Sequence, residues 1–408
     1  MDAILESCAG LDVHQETVVA CVLFGPLDNK PNKEIKTFST LTNDLLALAD
    51  WLDKHNCSHV AMESTGVYWK PVWNILESCS FKLILTNAQR IKNVPGRKTD
   101  IKDAEWIAQL LRSGLVECSF VPPTEIRDLR DLTRYRKKLI QDATQEKNRI
   151  HKILQDANIK ITSYLSDIFG VSGRNIIESV INGERITPEK ISLMVKGQVK
   201  NKVPQLVDAL NGRLRRHHRD MMRFSWNHLM YLEKTVADIE EQIDQCLSPY
   251  RQEIELIKSI PGINSKAAAV LLAEIGADMS VFPTDKHLSS WAGVSPGNNE
   301  SAGKKKRSRA KPGNKALKAI LCECAWASSK KRNSRLSACY WRWVKRMGIK
   351  KALIALAHLL LRIVYQILLT KTPYQELGPE YLENREIQKE LRLIKLLESK
   401  GYQITKAG

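Results

Sequence analysis

The stretch Cys8-Ala9-Gly10-Leu11-Asp12-Val13-His14-Gln15-Glu16-Thr17-Val18-Val19-Ala20-Cys21-Val22-Leu23-Phe24 decides how the front of this chain is read. Two β-rich runs, residues 8–13 and 17–24, flank the polar triplet His14-Gln15-Glu16, the pattern of two strands joined by a short turn. Residues 34–39 give a third strand, so an antiparallel meander is expected. Thr42 and Asn43 are placed to cap a helix whose stripe Leu45, Leu46, Leu48, Ala49 and Leu52 ends near His55 and Asn56. Residues 59–63 and 82–85 then read as short buried strands, with a helix around 72–79 between them.

Three strands, a helix, a strand, a helix and a strand is the order of an RNase H-like α/β domain, expected over residues 1–124. From Thr124 the pattern changes to long helices. Ile126, Leu129, Thr133, Arg136, Ile140, Ala143, Lys147, Ile150 and Leu154 step by three and four, and Leu229, Leu232, Val236, Ile239, Ile243 and Leu247 repeat the spacing more cleanly. Over 125–250 two such helices pair as an antiparallel hairpin, across protomers, or as the core of one domain; heptads this short leave the three open. A small helical insert, about 161–212, is punctuated by Gly170, Gly173, Gly183 and Pro188. Residues 251–408 form a helical C-terminal domain, so the fold class expected is α/β followed by all-α.

Charge separates the two parts. The chain of 408 residues carries a net charge of +18; residues 1–120 hold 12 basic and 15 acidic side chains, against 51 and 30 in the remainder. A near-neutral front and a basic body point to a polyanionic partner, most simply nucleic acid. Nine scattered cysteines without a Cys-x-x-Cys pair argue against a zinc site or a disulfide framework. No secretory signal is visible in MDAILESC, which makes the cytoplasm the expected location. The apolar stretch 352–369 is interrupted by His358 and Arg362, four apart on one side, which fits a buried helix better than a membrane span.

Four carboxylates carry the first chemical signal. Asp12 and Glu63 sit at the ends of apolar runs, and neighbouring strands would bring them out on one side of a sheet. Asp100 and Asp103 are three apart, on one face of a helix. Together they make an oxygen-rich pocket suited to Mg²⁺, and two ions about 4 Å apart would serve an in-line phosphoryl displacement. Helix N-terminal acids favoured by the macrodipole are the bland alternative for Asp100 and Asp103. A second signal is Ser259-Ile260-Pro261-Gly262-Ile263 ahead of a helix at 265–275, similar to a helix-hairpin-helix element that offers backbone amides, Gly262 among them, to a phosphate. The third is the Gly- and Asn-rich loop from Trp291 through Ser301 to Gly303, which leads into Lys304, Lys305, Lys306, Arg307, Arg309, Lys311 and Lys315. From Ser301 to Gln375 there are 19 Lys or Arg and one acid, Glu323, a face that would bind phosphates with strong salt dependence.

With these residues in view the chain resembles the insertion-sequence-110-type DEDD transposases, the bridge-RNA-guided recombinases. The resemblance rests on Gly10-Leu11-Asp12-Val13-His14, Ala61-Met62-Glu63-Ser64-Thr65-Gly66, Lys98-Thr99-Asp100-Ile101-Lys102-Asp103-Ala104, Ile260-Pro261-Gly262-Ile263, and Trp291-Ala292-Gly293 through Pro296-Gly297-Asn298-Asn299-Glu300-Ser301-Ala302-Gly303-Lys304, with Gly313-Asn314 beyond. It implies that Asp12, Glu63, Asp100 and Asp103 bind metal in a RuvC-like domain, and that Ser301 of the C-terminal transposase domain becomes joined to a DNA 5′ phosphate. It also implies a tetramer, a noncoding bridge RNA that pairs with donor and target duplex DNA, and no membrane. Ser295 stands where many relatives carry Cys and offers a second serine. The competing functions are a metal-dependent junction nuclease of the RuvC class, which needs the acids but no serine, and an inactive nucleic-acid scaffold, which needs neither.

Overall fold

The computed structural model describes residues 3–64, 66–86, 100–296, 300–301, 304–305 and 313–401; at 100–102, 300–301, 304–305, 382–386 and 389 the description is of the backbone alone. The chain divides into two compact units, Met1–Val121 and Pro122–Gly408.

In the first unit the elements are β1 (Ser7–Val13), β2 (Thr17–Phe24), β3 (Asn32–Ser39), α1 (Thr42–Lys54), β4 (His59–Glu63), α2 (Trp69–Leu76), β5 (Lys82–Thr86) and α3 (Asp100–Arg112). The strands form one sheet in the order β3-β2-β1-β4-β5. β1 and β3 run antiparallel to β2, while β1, β4 and β5 are parallel. Alternation along the strands sorts side chains between two layers of helix. Ala9, Leu11, Val13, Val60 and Met62 pack with Leu45, Leu48 and Leu52 of α1 and Val72 and Leu76 of α2. Cys8, Cys21, Leu23, Ala61 and Ile84 pack on the other face with Ala104, Ile107, Ala108 and Leu111 of α3. Helices on both faces explain why the central strands read as nearly continuous apolar runs rather than as alternation. This mixed α/β sheet is consistent with a RuvC-like DEDD domain. The expected start of α1 is corrected by one step: Leu41 is its N-cap and no side chain caps it. Ser39, at the end of β3, takes the amide of Leu41 itself at 3.2 Å and bonds the Asp44 carboxylate, which ties the strand end to the first turn without capping it.

In the second unit two long helices, α4 (Thr124–Asp156) and α8 (Arg216–Cys246), lie antiparallel, with His218 near Asp156 (2.9 Å) at one end and Lys147 near Glu233 (3.2 Å) further along. Between them in sequence come α5 (Val171–Asn182), α6 (Pro188–Met194) and α7 (Val203–Ala209). Leu129, Ala143, Ile150 and Leu154 share one core with Leu229, Leu232, Ile239 and Ile243, and Ile176, Ile177, Val180, Ile191 and Leu206 of the insert join it. The heptads are therefore consumed within the chain and offer no free apolar seam to a partner. Two polar interruptions are also explained, because Arg136 pairs with Glu240 and Lys147 with Glu233. Ile140, expected in the seam, is exposed, and Leu139 is buried in its place. A straight helix drifts about 20° per heptad from a 3.5-residue frame, enough to hand a position to its neighbour.

The remaining helices are α9 (Arg251–Lys258), α10 (Ser265–Ile275), α11 (Asp285–Trp291), α12 (Lys315–Ser329), α13 (Arg335–Met347), α14 (Ile349–Thr370) and α15 (Tyr381–Glu398). α14 is long and apolar enough to cross a membrane. Its stripe Ala352, Leu356, Ala357, Leu360, Leu361, Val364 and Leu368 is buried, however, and it packs on α9, α11, α12 and α13. Arg362 pairs with Asp285 of α11, and the Tyr365 hydroxyl donates to the Phe282 carbonyl (3.0 Å).

Glu274, near the end of α10, is fully buried. Arg134 of α4 grips it with two bonds of 2.8 Å, and the Asn314 amide donates to it at 2.6 Å. Arg130 meanwhile donates to the Ala273 and Glu274 carbonyls. Removing Arg134 takes away the two short bonds to a buried charge and leaves it the longer Arg130 pairing (3.4 Å) and the Asn314 amide, so Arg134→Met is expected to cost about 2 kcal/mol. A urea melt reads this directly, and an unchanged midpoint would contradict it.

Candidate active site

Asp12 and Glu63 meet because of register. β1 and β4 pair in parallel with Leu11 opposite Met62, so the next residues along, Asp12 and Glu63, emerge side by side at the C-terminal ends of adjacent strands. Asp12 also pairs with Val19, which belongs to the core layer beneath α3, and this fixes the face on which the acids stand.

Asp103 comes to the same face on α3, one residue before the buried Ala104. The closeness of that helix depends on Gly10. A Cβ there would lie 2.3 Å from the Ala104 carbonyl oxygen and 2.4 Å from the Ala108 amide, so only glycine lets the helix backbone rest on the strand. Small residues at 104 and 108 complete the contact. The far end of α3 is tied by the buried Arg112, which donates to the carbonyls of Leu5 (3.1 Å), Gly25 (3.2 Å) and Pro26 (2.7 Å). Sequence reading quoted Gly10 without giving it a job and missed Arg112 altogether; a glycine two residues before a strand-end acid was the available signal. Gly10→Val should force α3 off the sheet, costing about 3 kcal/mol or more and moving Asp103 from Asp12. A variant with wild-type melting and activity would contradict this close approach.

The electrostatics follow from the placement. Burial raises the Asp12 carboxyl above its ordinary range, while His14, whose Nε2 lies 3.1 Å from Asp12 Oδ2, opposes the rise. The negative charges of Asp103 and Glu63 add to it. Asp12 thus feels the charges of both Glu63 and Asp103, although among the described residues no three His, Cys, Asp or Glu side chains stand close enough together to hold an ion. Asp100 opens α3, and its side chain lies outside the described residues. All-oxygen donors fit a hard divalent cation, and positive charge would relieve the repulsion that burdens Asp12.

In the second unit Ser301 ends the two-residue strand β6 (Glu300–Ser301), paired antiparallel with β7 (Lys304–Lys305), Ser301 opposite Lys304. Their side chains, and all of Lys306, Arg307, Arg309 and Lys311, lie outside the described residues. Beyond that segment Asn314 caps α12, taking the amides of Ala316 (3.0 Å) and Leu317 (3.1 Å), and Lys315 stands exposed at the first position. Because the Asn314 amide also bonds buried Glu274, one return point of the Ser301 segment is fixed to α10 and, through Arg134, to α4. Ser295 is half-buried, its amide on the Ser289 carbonyl. The turn at 260–263 joins α9 to α10. Gly262 has φ +90° and is exposed on one side; on the other, a Cβ would sit 2.5 Å from the Ser328 amide, so packing on α12 itself requires glycine there.

A mixed sheet with carboxylates at two adjacent strand ends and a third on the helix laid across them is consistent with a DEDD-type domain. Residues 9–159 match the family model for DEDD transposases of the IS110 type, described as "Transposase", and residues 254–341 match "Transposase IS116/IS110/IS902 family". The chain belongs to this transposase family and is a DNA-cleaving and rejoining enzyme. Among similar proteins are the "Pilin gene-inverting protein" of Moraxella lacunata and that of Moraxella bovis, each 24% identical over 386 residues, which cover 90% of this chain and 97% of the relative.

Proposed function

We propose that the protein is the transposase of an insertion sequence, guided by a structured RNA from the element's noncoding end, and that it cuts and rejoins DNA through a serine ester. The observation that carries this reading is the gathering of Asp12, Glu63 and Asp103 on one face of the sheet in a chain that also bears the Ser301 hairpin within a basic stretch. Asp12, Glu63, Asp100 and Asp103 would hold Mg²⁺. When bound it would supply positive charge against the phosphate undergoing displacement.

In the step proposed, Ser301 Oγ bonds to the phosphorus, the bond to the 3′ oxygen breaks, and the serine gives up a proton as the 3′ oxygen takes one. The phosphoserine ester keeps the energy of the broken linkage, so a new 3′ hydroxyl can displace the serine without ATP. Gly262, Lys304, Lys305, Lys306, Arg307, Arg309, Lys311 and Lys315 would grip backbone phosphates, with residues 260–263 acting as a helix-hairpin-helix element. Base pairing by the RNA would choose the donor and target duplexes. A homotetramer would bring acids and serine together from different subunits.

Recombination between donor and target plasmids, with and without the RNA from the element's own noncoding end, tests the proposal. Strand exchange only with that RNA is the expected result. Equal exchange without it removes the guide, and Mg²⁺-dependent cutting with no rejoining reduces the enzyme to a junction nuclease.

A further inference from the structure

Tryptophan is normally well covered, so two exposed indoles on neighbouring elements call for an explanation. Trp326 on α12 is 45% exposed and Trp341 on α13 is 54% exposed. Both pack edge-on against one ring, Tyr340, which is itself buried at 1% exposure: the centroid distances are 6.5 and 5.1 Å and the interplanar angles 85° and 76°. The two indoles are thereby held by a rigid buried neighbour while offering area to solvent. Their surroundings are cationic. Lys330 Nζ lies 4.7 Å from the Trp326 ring centroid, and Lys331 and Arg332 follow in the exposed turn between the helices. Arg342 and Lys345 flank Trp341 along α13, both exposed. Glu323, one turn before Trp326, is already engaged by Lys137 at 3.8 Å.

We propose that Trp326 and Trp341 form a stacking platform for unpaired nucleobases, with Lys330, Lys331 and Arg332 on the adjoining phosphates. Apolar protein partners favour patches depleted of charge, whereas aromatic faces set among cations suit a strand whose bases are splayed out. A duplex hides its base faces and would engage only the cations. Strand exchange requires bases to leave their duplex, and a platform in the basic unit would hold them while they are unpaired. This inference rests on the nucleic-acid reading of the basic body.

Anisotropy of labelled oligothymidylate, oligouridylate, an abasic strand of equal length and a duplex tests it on the full chain. Wild type should bind oligothymidylate about tenfold or more tighter than the abasic strand, and W326A and W341A should each lose about tenfold on the base-bearing strands while keeping duplex affinity. W326F and W341F should keep most of the binding. Preference for oligouridylate over oligothymidylate would assign the platform to RNA, the reverse to DNA. Equal binding of abasic and base-bearing strands, full affinity in the alanine variants, or equal loss on the duplex would overturn the platform. Failure of wild type to bind any of the four would instead overturn the nucleic-acid reading beneath it.

Discussion

Asp12→Asn is expected to reduce recombination to background and, in the same protein, to raise the melting temperature of the metal-free form at neutral pH. The first effect follows from the loss of a carboxylate that stands beside Glu63 and faces Asp103. The second follows from what the fold does to Asp12. Burial, with the charges of Asp103 and Glu63, raises its folded pKa above the unfolded value near 3.9, so the fold favours the protonated acid. The associated stability is fully present below the unfolded pKa and is lost as pH rises through the folded one. At neutral pH the ionised group therefore weighs against the fold, and an amide of the same shape lifts that weight. The gain should shrink as pH falls toward 4, where wild-type Asp12 takes up its proton. Added Mg²⁺ should stabilise wild type more than the variant, because binding to the folded state shifts stability by mass action. Calorimetry across that pH range with and without Mg²⁺ is the measurement. A variant that recombines normally, or melts lower than wild type at neutral pH, would falsify the assignment of Asp12 to a charged, strained acid site.

Ser301→Ala should abolish both strand exchange and any covalent protein–DNA species, leaving DNA binding close to wild type. A serine alkoxide needs its developing charge stabilised, and no histidine lies near Ser301 in sequence to serve as a local base. In the proposed reaction, cations bound by the four acids would answer that need. Ser301 pairs with Lys304 across a minimal hairpin, and the segment returns at Asn314, which is pinned to buried Glu274. A nicked substrate should trap the ester, and mass spectrometry of the digested adduct should place the DNA on the peptide containing Ser301. Linkage at Ser295 would move the chemistry six residues upstream. Normal exchange by the alanine variant without an adduct would leave a hydrolytic reaction at the acid site.

Much of this was legible in sequence, and the residues show why. Short apolar runs bounded by turn residues place Asp12 and Glu63 at strand ends, since such runs and their turns are written in a few neighbouring residues. The long amphipathic helices, the basic second unit and the motif around Ser301 are likewise local, written in spacing and composition. Other features depend on residues about a hundred positions apart. That Gly10 must be bare is decided by Ala104 and Ala108, and that Glu274 can be buried is decided by Arg134 and Asn314. The heptads leave open a hairpin, a seam across protomers or the core of one domain; burial of Leu139, Ala143 and Ile239 in one cluster with the insert makes the pair a hairpin that is also the core of its unit, and puts Ile140 outside. The sequence by itself determined which elements form and which chemical groups they carry, because hydrophobic period and turn chemistry act over a few residues. Only the tertiary structure decided how closely α3 lies on β1, which charges share a site and which apolar faces remain open. Those are consequences of close packing between distant segments, where one missing Cβ or one buried guanidinium changes what can touch.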